Sequence, residues 1–130
     1  MQKSQKGFTL IELVVVIVLL GILGATALAR FQDLSTEAQD AANEGVASEL
    51  SSGSSINFAA RSLNPLNGSA TVGLTCDAAA TAVMSVKPGG YSFAAGVPAV
   101  CGLAGTSMTC PVVSTATPPG AVANAVVLCI

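Results

Sequence analysis

Residues 6–16, KGFTLIELVVV, decide the fold because they open a long apolar run that holds a single carboxylate. Between Phe8 and Ala29 the sequence carries no charge other than Glu12. At about 1.5 Å per residue, a helix over this run is roughly 33 Å long, which is enough to cross a bilayer core of about 30 Å. An ionisable group inside such a span costs on the order of 3 kcal/mol on insertion scales. The run therefore predicts a membrane-spanning helix in which Glu12 has a function.

The junction between Gly7 and Phe8 resembles the amino terminus of type IV pilins. In that family a short basic leader ends in Gly, and a prepilin peptidase cuts after it and N-methylates the new first residue, usually Phe. A Glu follows four residues later within the membrane helix. Gly7, Phe8 and Glu12 match this pattern position by position. The resemblance implies a cleaved leader at residues 1–7 and N-methylation of Phe8.

A longer and weaker likeness extends to about Ala60 and is nearest to major pilins of the mannose-sensitive haemagglutinin type. Residues 21–28, GILGATAL, and residues 30–35, RFQDLS, carry it. Many pilins have proline at the end of the membrane segment, where this chain has Ala29. The resemblance therefore does not imply that a proline breaks the helix in this chain.

Two simpler interpretations account for less of the apolar run. A secretory signal peptide would use Lys3 and Lys6 as its basic region and residues 27–29, ALA, as its cleavage site. The apolar core of such a peptide normally has about 7 to 15 residues, and an acid inside it weakens targeting. A plain single-pass anchor explains the length of the run but neither Glu12 nor the Gly-Phe junction.

The predicted cleavage gives Glu12 a partner. Cutting after Gly7 frees an α-amino group on Phe8, one helical turn before Glu12, so a cation and a carboxylate lie on the same side of the helix. In lipid each ion alone is costly. We expect Glu12 of one subunit to pair with the Phe8 amine of a neighbour and so to favour assembly of the apolar helices into a fibre, as the resemblance implies.

The charge distribution indicates a single membrane crossing. The chain has a net charge of −2, and loss of residues 1–7 with their two lysines takes the mature form to −4, so no basic surface for nucleic acid is expected. Lys3 and Lys6 satisfy the positive-inside rule, which keeps the amino terminus cytoplasmic and exports everything after Arg30. This predicts an inner-membrane prepilin that later becomes part of an extracellular pilus.

All four cysteines fall in the exported part of the chain, where an oxidising compartment favours disulfides. They are Cys76, Cys101, Cys110 and Cys129. A zinc site of four thiolates is disfavoured because the sequence has no Cys-x-x-Cys spacing and no His. Four cysteines allow three connectivities, and the sequence does not decide between them.

The helix is predicted to continue beyond the membrane. Apolar and mainly small residues recur at spacings of mostly three and four and trace one stripe that would pack on the head and on neighbouring helices: Phe31, Leu34, Ala38, Ala41, Gly45, Leu50, Gly53, Ile56 and Ala60. A separate acidic stripe holds Asp33, Glu37, Asp40 and Glu44. We interpret it as a solvated face, the alternative being contact with basic groups of a neighbouring subunit.

The rest of the chain is predicted to form a small head with a short antiparallel sheet. The helix ends near residues 61–68, where Asn64-Pro65 and Asn67-Gly68 are turn dipeptides. Residues 67–69 also fit the N-glycosylation pattern, which a turn explains equally well. Asp77 is predicted to cap a brief helix over residues 78–86. Strands are predicted at residues 71–75, 91–94, 99–103, 108–113 and 123–130.

No catalytic constellation is present in the sequence. It has no His, its exported carboxylates lie mostly in one predicted helix, and no base accompanies its Ser and Thr residues. The chain is therefore predicted not to be an enzyme, and we expect no cofactor or metal.

By the resemblance, the fold is α+β: a long amino-terminal transmembrane and amphipathic helix packed against a small antiparallel β-sheet head. The predicted parts are a cleaved leader at residues 1–7, a transmembrane and fibre-core helix at 8–29, its amphipathic continuation at 30–60, and a disulfide-containing head at 61–130.

The resemblance also implies a function. It points to a structural subunit that polymerises through its amino-terminal helix into a helical filament for adhesion or motility, with prepilin peptidase and the pilus assembly machinery as partners. The alternative is a pseudopilin or minor pilin, which shares the processing but primes a fibre or drives secretion. A third class, a soluble protein released after Ala29, predicts a mature chain that begins at Arg30.

Overall fold

The computed structural model describes residues 7–130, so the predicted leader lies outside the described residues except for Gly7. The described part of the chain has two helices and three strands: α1 Leu10–Leu63, α2 Cys76–Val83, β1 Tyr91–Phe93, β2 Ser107–Ser114 and β3 Ala123–Leu128. The predicted α+β class, with a long amino-terminal helix and a small antiparallel sheet, is confirmed.

Helix α1 is long because nothing in its sequence interrupts it. The first proline of the chain is Pro65, and the residue before a proline disfavours the helical conformation, so the helix ends at Leu63. Within the described residues, α1 is the one helix long and apolar enough to cross a membrane. This agrees with the predicted transmembrane helix.

The chain divides into two compact units between Ser35 and Thr36, and α1 contributes to both. In the first unit the side chains from Gly7 to Leu34 are exposed. The second unit, which runs to Ile130, contains the sheet and the hydrophobic core.

The sheet is antiparallel with β2 in its centre. The strand order is β1-β2-β3, and β2 pairs along most of its length with β3, from Ser107 opposite Leu128 to Val112 opposite Ala123. Strand β2 alternates exposed and buried residues at its start, which places Met108, Cys110 and Val112 in the core.

Pro111 explains why β1 is short. The Ala94 N–H donates to the Pro111 carbonyl at 3.1 Å, but proline has no N–H to return a hydrogen bond across the ladder. Strand β1 ends one residue earlier, at Phe93. A proline is tolerated in the central strand because the missing donor faces the point where the neighbouring strand stops.

The core of the second unit combines one side of α1 with the inner face of the sheet and both disulfides. Leu50 of α1 is fully buried among the core residues of β2 and β3. The buried hydrophobic residues are Ala47, Leu50, Cys76, Ala79, Ala80, Met84, Phe93, Cys101, Met108, Cys110, Val112, Ala125, Val127 and Cys129.

Two predicted strands are wrong. Residues 71–75 and 99–103 form turns and loops that exchange two backbone hydrogen bonds, from Gly73 N–H to Cys101 O at 2.7 Å and from Cys101 N–H to Leu74 O at 2.8 Å. The pairing stops there because the chain turns immediately: Leu74 N–H donates back to Thr71 O, and Thr75 is the N-cap of the next helix. The strands predicted at 91–94, 108–113 and 123–130 correspond to β1, β2 and β3.

The cap of α2 also differs from the prediction. The Thr75 hydroxyl accepts the Ala78 N–H at 3.4 Å, so Thr75 rather than Asp77 is the N-cap. The helix accordingly begins at Cys76 and ends at Val83, earlier than the predicted range of 78–86. Asp77 lies in the first turn, where a carboxylate is favourable to the helix dipole.

The buried side of α1 differs from the predicted apolar stripe. The head covers Asn43, Ala47, Leu50, Ser54 and Asn57, of which three are polar. From the predicted stripe, Leu50 is buried, whereas Gly45 is exposed and Ile56 is 70% exposed. Polar residues occupy this side because their side chains bond to backbone groups of the head.

Candidate functional site

The amino-terminal end of α1 places Glu12 in a capping box with Thr9. The Thr9 N–H and the Thr9 hydroxyl each donate to Glu12 Oε2 at 2.9 Å, and the Glu12 N–H donates to Thr9 Oγ1 at 3.4 Å. Because α1 begins at Leu10, Thr9 is the N-cap and Glu12 is the third helical residue. The Glu12 carboxylate is thus held by its own helix terminus.

Sequence reasoning missed Thr9. The signal is present, since Thr-x-x-Glu before an apolar run is the pattern of a capping box. The prediction that Glu12 pairs with the Phe8 amine of a neighbouring subunit leaves out this local role in starting the helix.

The surroundings of Glu12 are apolar and open. Phe8, Ile11, Val15 and Val16 line a hollow of about 330 Å³ together with Glu12. Phe8 is 88% exposed and Ile11 is 65% exposed. Among the described residues, the ion pair found is that of Lys87 with Asp77, so no cation of the described chain contacts Glu12. An apolar surface around one carboxylate can bind a similarly apolar helix that presents a cation.

The structure pairs the cysteines as Cys76–Cys110 and Cys101–Cys129, which is one of the three connectivities that the sequence left open. The first bridge joins the start of α2 to β2, and the second joins the β1–β2 loop to the segment after β3. The Cα atoms are 5.5 Å apart in both, and all four residues are at most 1% exposed. The bridges are therefore part of the core of the head.

Hydroxyl groups cover the outer edge of β3. Ser51 Oγ accepts the Val126 N–H at 2.9 Å, and Ser54 Oγ accepts the Leu128 N–H at 2.7 Å. Two residues further on, Thr71 Oγ1 accepts the Ile130 N–H at 2.9 Å. An unpaired strand edge invites pairing with another chain. The three hydroxyls occupy the outward N–H groups of Val126 and Leu128 in β3 and of Ile130 just beyond it. We call this contact the hydroxyl seam.

Two buried asparagines of α1 fasten loops of the head. The Asn43 amide donates to Pro119 O at 3.1 Å and to Ala121 O at 2.7 Å, and its oxygen accepts the Ser114 N–H at 2.8 Å. This fixes the loop between β2 and β3 against α1. Every polar atom of the Asn43 amide is used, as a buried amide requires.

Asn57 makes a two-way contact with Ser69. It donates to Ser69 O at 2.8 Å and accepts the Ser69 N–H at 2.7 Å. The Asn57 side chain thus gives the Ser69 backbone the two hydrogen bonds that a neighbouring strand would otherwise provide. These bonds hold the loop after α1 in place.

Some charged groups of the second unit are engaged in contacts within the chain. Asp40, a member of the predicted acidic stripe, accepts the Ala121 N–H. Lys87 pairs with Asp77 and lies 5.3 Å from the centre of the Phe93 ring. Asp40, Lys87 and Asp77 are therefore already engaged within the chain.

Comparison with known proteins places the amino-terminal segment in a known family. The model of the prokaryotic N-terminal methylation motif matches residues 2–28. A fimbrial protein of Pseudomonas aeruginosa is 51% identical over 37 residues, which are 28% of this chain and 24% of that protein. The type IV major pilin protein PilE1 of Neisseria gonorrhoeae is 56% identical over 39 residues, which are 30% of this chain and 24% of that protein.

The likeness is confined to a part of each protein. A fimbrial protein of Neisseria meningitidis serogroup B is likewise 56% identical over 39 residues, which are 30% of this chain and 23% of that protein. The chain thus matches about a quarter of the length of these curated relatives. No solved structure shows a significant match.

The described residues comprise a long helix, apolar enough at its beginning to cross a membrane, and a small disulfide-containing head with an antiparallel sheet. The methylation motif and the matches to major pilins show that the amino-terminal segment of the chain is similar to that of type IV pilins. Pilins and fimbrial proteins are structural and non-enzymatic, which agrees with the prediction that the chain is not an enzyme.

Proposed function

We propose that the chain is a structural subunit of a type IV pilus that polymerises through α1 into a helical surface filament for adhesion or motility. The observation that carries this proposal is Glu12, a single carboxylate on the exposed apolar beginning of α1, inside a matched methylation motif. A soluble protein gains nothing from such a surface, whereas a bundle of helices in a filament covers it.

The proposed processing creates the partner of Glu12. Prepilin peptidase cuts between Gly7 and Phe8 and N-methylates Phe8, which leaves a cationic amine at the start of the helix. In one chain Glu12 is bonded to Thr9, so its carboxylate is partly satisfied before assembly. The Phe8 amine of a neighbouring subunit adds a charge-assisted hydrogen bond, which is stronger than the neutral ones. Because the Phe8 amine exists only after cleavage, this added hydrogen bond favours addition of a processed subunit over an unprocessed one.

The proposed topology depends on the same segment. The prepilin crosses the inner membrane once through residues 8–29, with residues 1–7 in the cytoplasm and the head exported. Residues 30–60 continue the helix, and residues 61–130 form the head. Two buried disulfides in the head support export to an oxidising compartment. The filament made of these subunits is extracellular.

The second candidate is a pseudopilin or minor pilin. What favours it is that the family model covers residues 2–28 alone, the segment that these proteins share with major pilins. The two candidates differ in abundance: a major pilin forms most of a long extracellular filament, and a pseudopilin does not.

Electron microscopy of sheared surface filaments, with mass spectrometry of their main protein band, tests the proposal. We expect long filaments whose main band is this chain, beginning with N-methylated Phe8. A Gly7→Val variant is the matched control, since it blocks cleavage and should leave the chain in the membrane. Absence of the chain from such filaments favours the pseudopilin, and a mature chain that begins at Arg30 contradicts both candidates.

A further inference from the structure

The five asparagines of the chain differ in the residue that comes next and in how their side chains are held. Asn43 and Asn57 are buried, and both ends of each amide are hydrogen-bonded. Asn124 precedes a buried residue that is paired with β2. Asn64 precedes proline, which has no N–H. Asn67 is exposed and precedes glycine.

The residue after an asparagine matters because its backbone nitrogen can attack the side-chain amide. Attack requires a free N–H and is hindered by a Cβ on the attacking residue, and asparagine is for this reason among the thermolabile residues. Gly68 is exposed and has no Cβ, and its φ of +72° lies in the left-handed region that glycine adopts readily. Within residues 7–130, its N–H takes part in none of the hydrogen bonds found.

We propose that Asn67 and Gly68 form a self-modifying site at the turn after α1. The Gly68 nitrogen bonds to Asn67 Cγ, the bond from Cγ to Nδ2 breaks, and Nδ2 leaves as ammonia with the Gly68 amide proton. The product is a cyclic imide. Water then opens either of its two C–N bonds, adding hydroxyl to carbon and hydrogen to nitrogen.

The two openings have different consequences. Cleavage of the Cγ–N bond gives aspartate with the original main chain. Cleavage of the other bond gives isoaspartate, in which the main chain passes through the side-chain carbons of residue 67 and is one atom longer. Both products carry one more negative charge than asparagine.

The longer main chain does not fit the contact between the turn and α1. An ideal Cβ built on Gly68 lies 2.4 Å from Asn57 Oδ1, so this part of the turn is packed tightly against α1. The next residue, Ser69, is fastened to Asn57 through both its N–H and its carbonyl. Isoaspartate at residue 67 therefore releases the Asn57–Ser69 contact and frees the loop from α1. In a filament, as proposed above, the fraction of subunits with isoaspartate at residue 67 increases with the age of the subunits.

Ageing of the purified full-length chain in detergent tests the site whether or not the chain forms filaments. The chain is held at mildly alkaline pH, digested at mildly acidic pH to prevent reaction during digestion, and analysed by peptide mass spectrometry. We expect the peptide with residue 67 to convert progressively into aspartate and isoaspartate forms, with release of an equal amount of ammonia. The other four asparagines provide internal controls and should persist.

An Asn67→Gln variant is the matched control, because the longer side chain closes a less favourable ring. We expect it to release no ammonia over the same period. Loss of the Asn67 amide no faster than that of Asn124 would overturn the proposal, as would ammonia release from Asn67→Gln at the rate of the unmodified chain.

Discussion

The Ser54 hydroxyl lies 2.7 Å from the Leu128 backbone nitrogen and accepts its N–H, so one side chain of α1 joins the helix to the outer edge of β3. Ser54 is fully buried and Leu128 is half-buried, which keeps water from replacing this bond. Ser51 repeats the contact one turn earlier with Val126. Two hydroxyls on the polar side of α1 therefore accept hydrogen bonds from successive outward N–H groups of β3.

Ser54→Ala should destabilise the chain because it leaves the Leu128 N–H buried without an acceptor. The expected loss in the free energy of unfolding is about 1–3 kcal/mol. Chemical denaturation in detergent, followed by a signal from the head, measures it. Ser52→Ala is the matched control, since Ser52 is exposed on the same helix and should change stability by less than about 0.5 kcal/mol. Equal effects of the two variants would contradict the role of the hydroxyl seam.

Gly45→Ala and Gly53→Ala should have opposite effects. A Cβ on Gly45 meets nothing within 4 Å, so alanine should raise helix stability by about 0.5–1 kcal/mol. A Cβ on Gly53 lies 2.8 Å from the backbone oxygen of Val83, so alanine there should push α2 away and lower stability. Thermal denaturation of the two variants distinguishes the sites, and a stabilising Gly53→Ala would show that α2 does not approach α1 as described.

Removal of the Cys101–Cys129 bridge by double alanine substitution should lower the free energy of unfolding by about 2–5 kcal/mol. The Cys76–Cys110 bridge spans a similar separation, 34 residues against 28, and should contribute a similar amount. Melting temperatures recorded with and without a reducing agent measure the stability that the two bridges contribute. A chain that lacks all four cysteines is the control, and a response of its melting temperature to the reducing agent would invalidate the comparison.

Glu12→Val should abolish filament assembly while leaving membrane insertion intact, because it removes the proposed acceptor for the Phe8 amine and makes the span more apolar. The measurement is the ratio of filament protein sheared from cells to protein retained in membranes. Leu13→Val, a neighbouring apolar exchange, should keep the ratio normal. Normal filaments from Glu12→Val would refute the ion pair.

Thr9→Ala separates the local role of Glu12 from its proposed role between subunits. It removes the hydroxyl of the capping box, and a lost N-cap costs about 1 kcal/mol of helix stability. The Glu12 carboxylate remains available to a neighbour, so filaments should form in reduced amount. Complete loss of filaments, equal to that of Glu12→Val, would show that the cap itself is required.

The sequence predicts well those features that local chemistry determines. The length of α1 is explained by the absence of proline before Pro65, and its end by the turn residues there. Strands β2 and β3 are marked by β-branched residues between loops rich in Gly, Pro and Ser. The importance of Glu12 for assembly, inferred from the energetic cost of a charge in lipid, stays a prediction.

The side of α1 that the head covers could not be predicted from apolar periodicity. Asn43, Ser54 and Asn57 are buried because backbone groups of distant segments need partners, and those segments are 12 to 78 residues away along the chain. The cysteine pairing depends on the same long-range placement. Thr9 is different, since its capping pattern is local and is visible in the sequence.

The hydroxyl seam constrains the main chain of β3 but not its side chains. Ser51 and Ser54 bond to backbone N–H groups, which every residue except proline supplies. The outward residues of the strand, such as Val126, have exposed side chains, so the hydroxyl seam does not depend on which side chains occupy these positions. Substitutions on the outer surface of β3 therefore leave its attachment to α1 intact, whereas loss of either serine removes a bond of the hydroxyl seam.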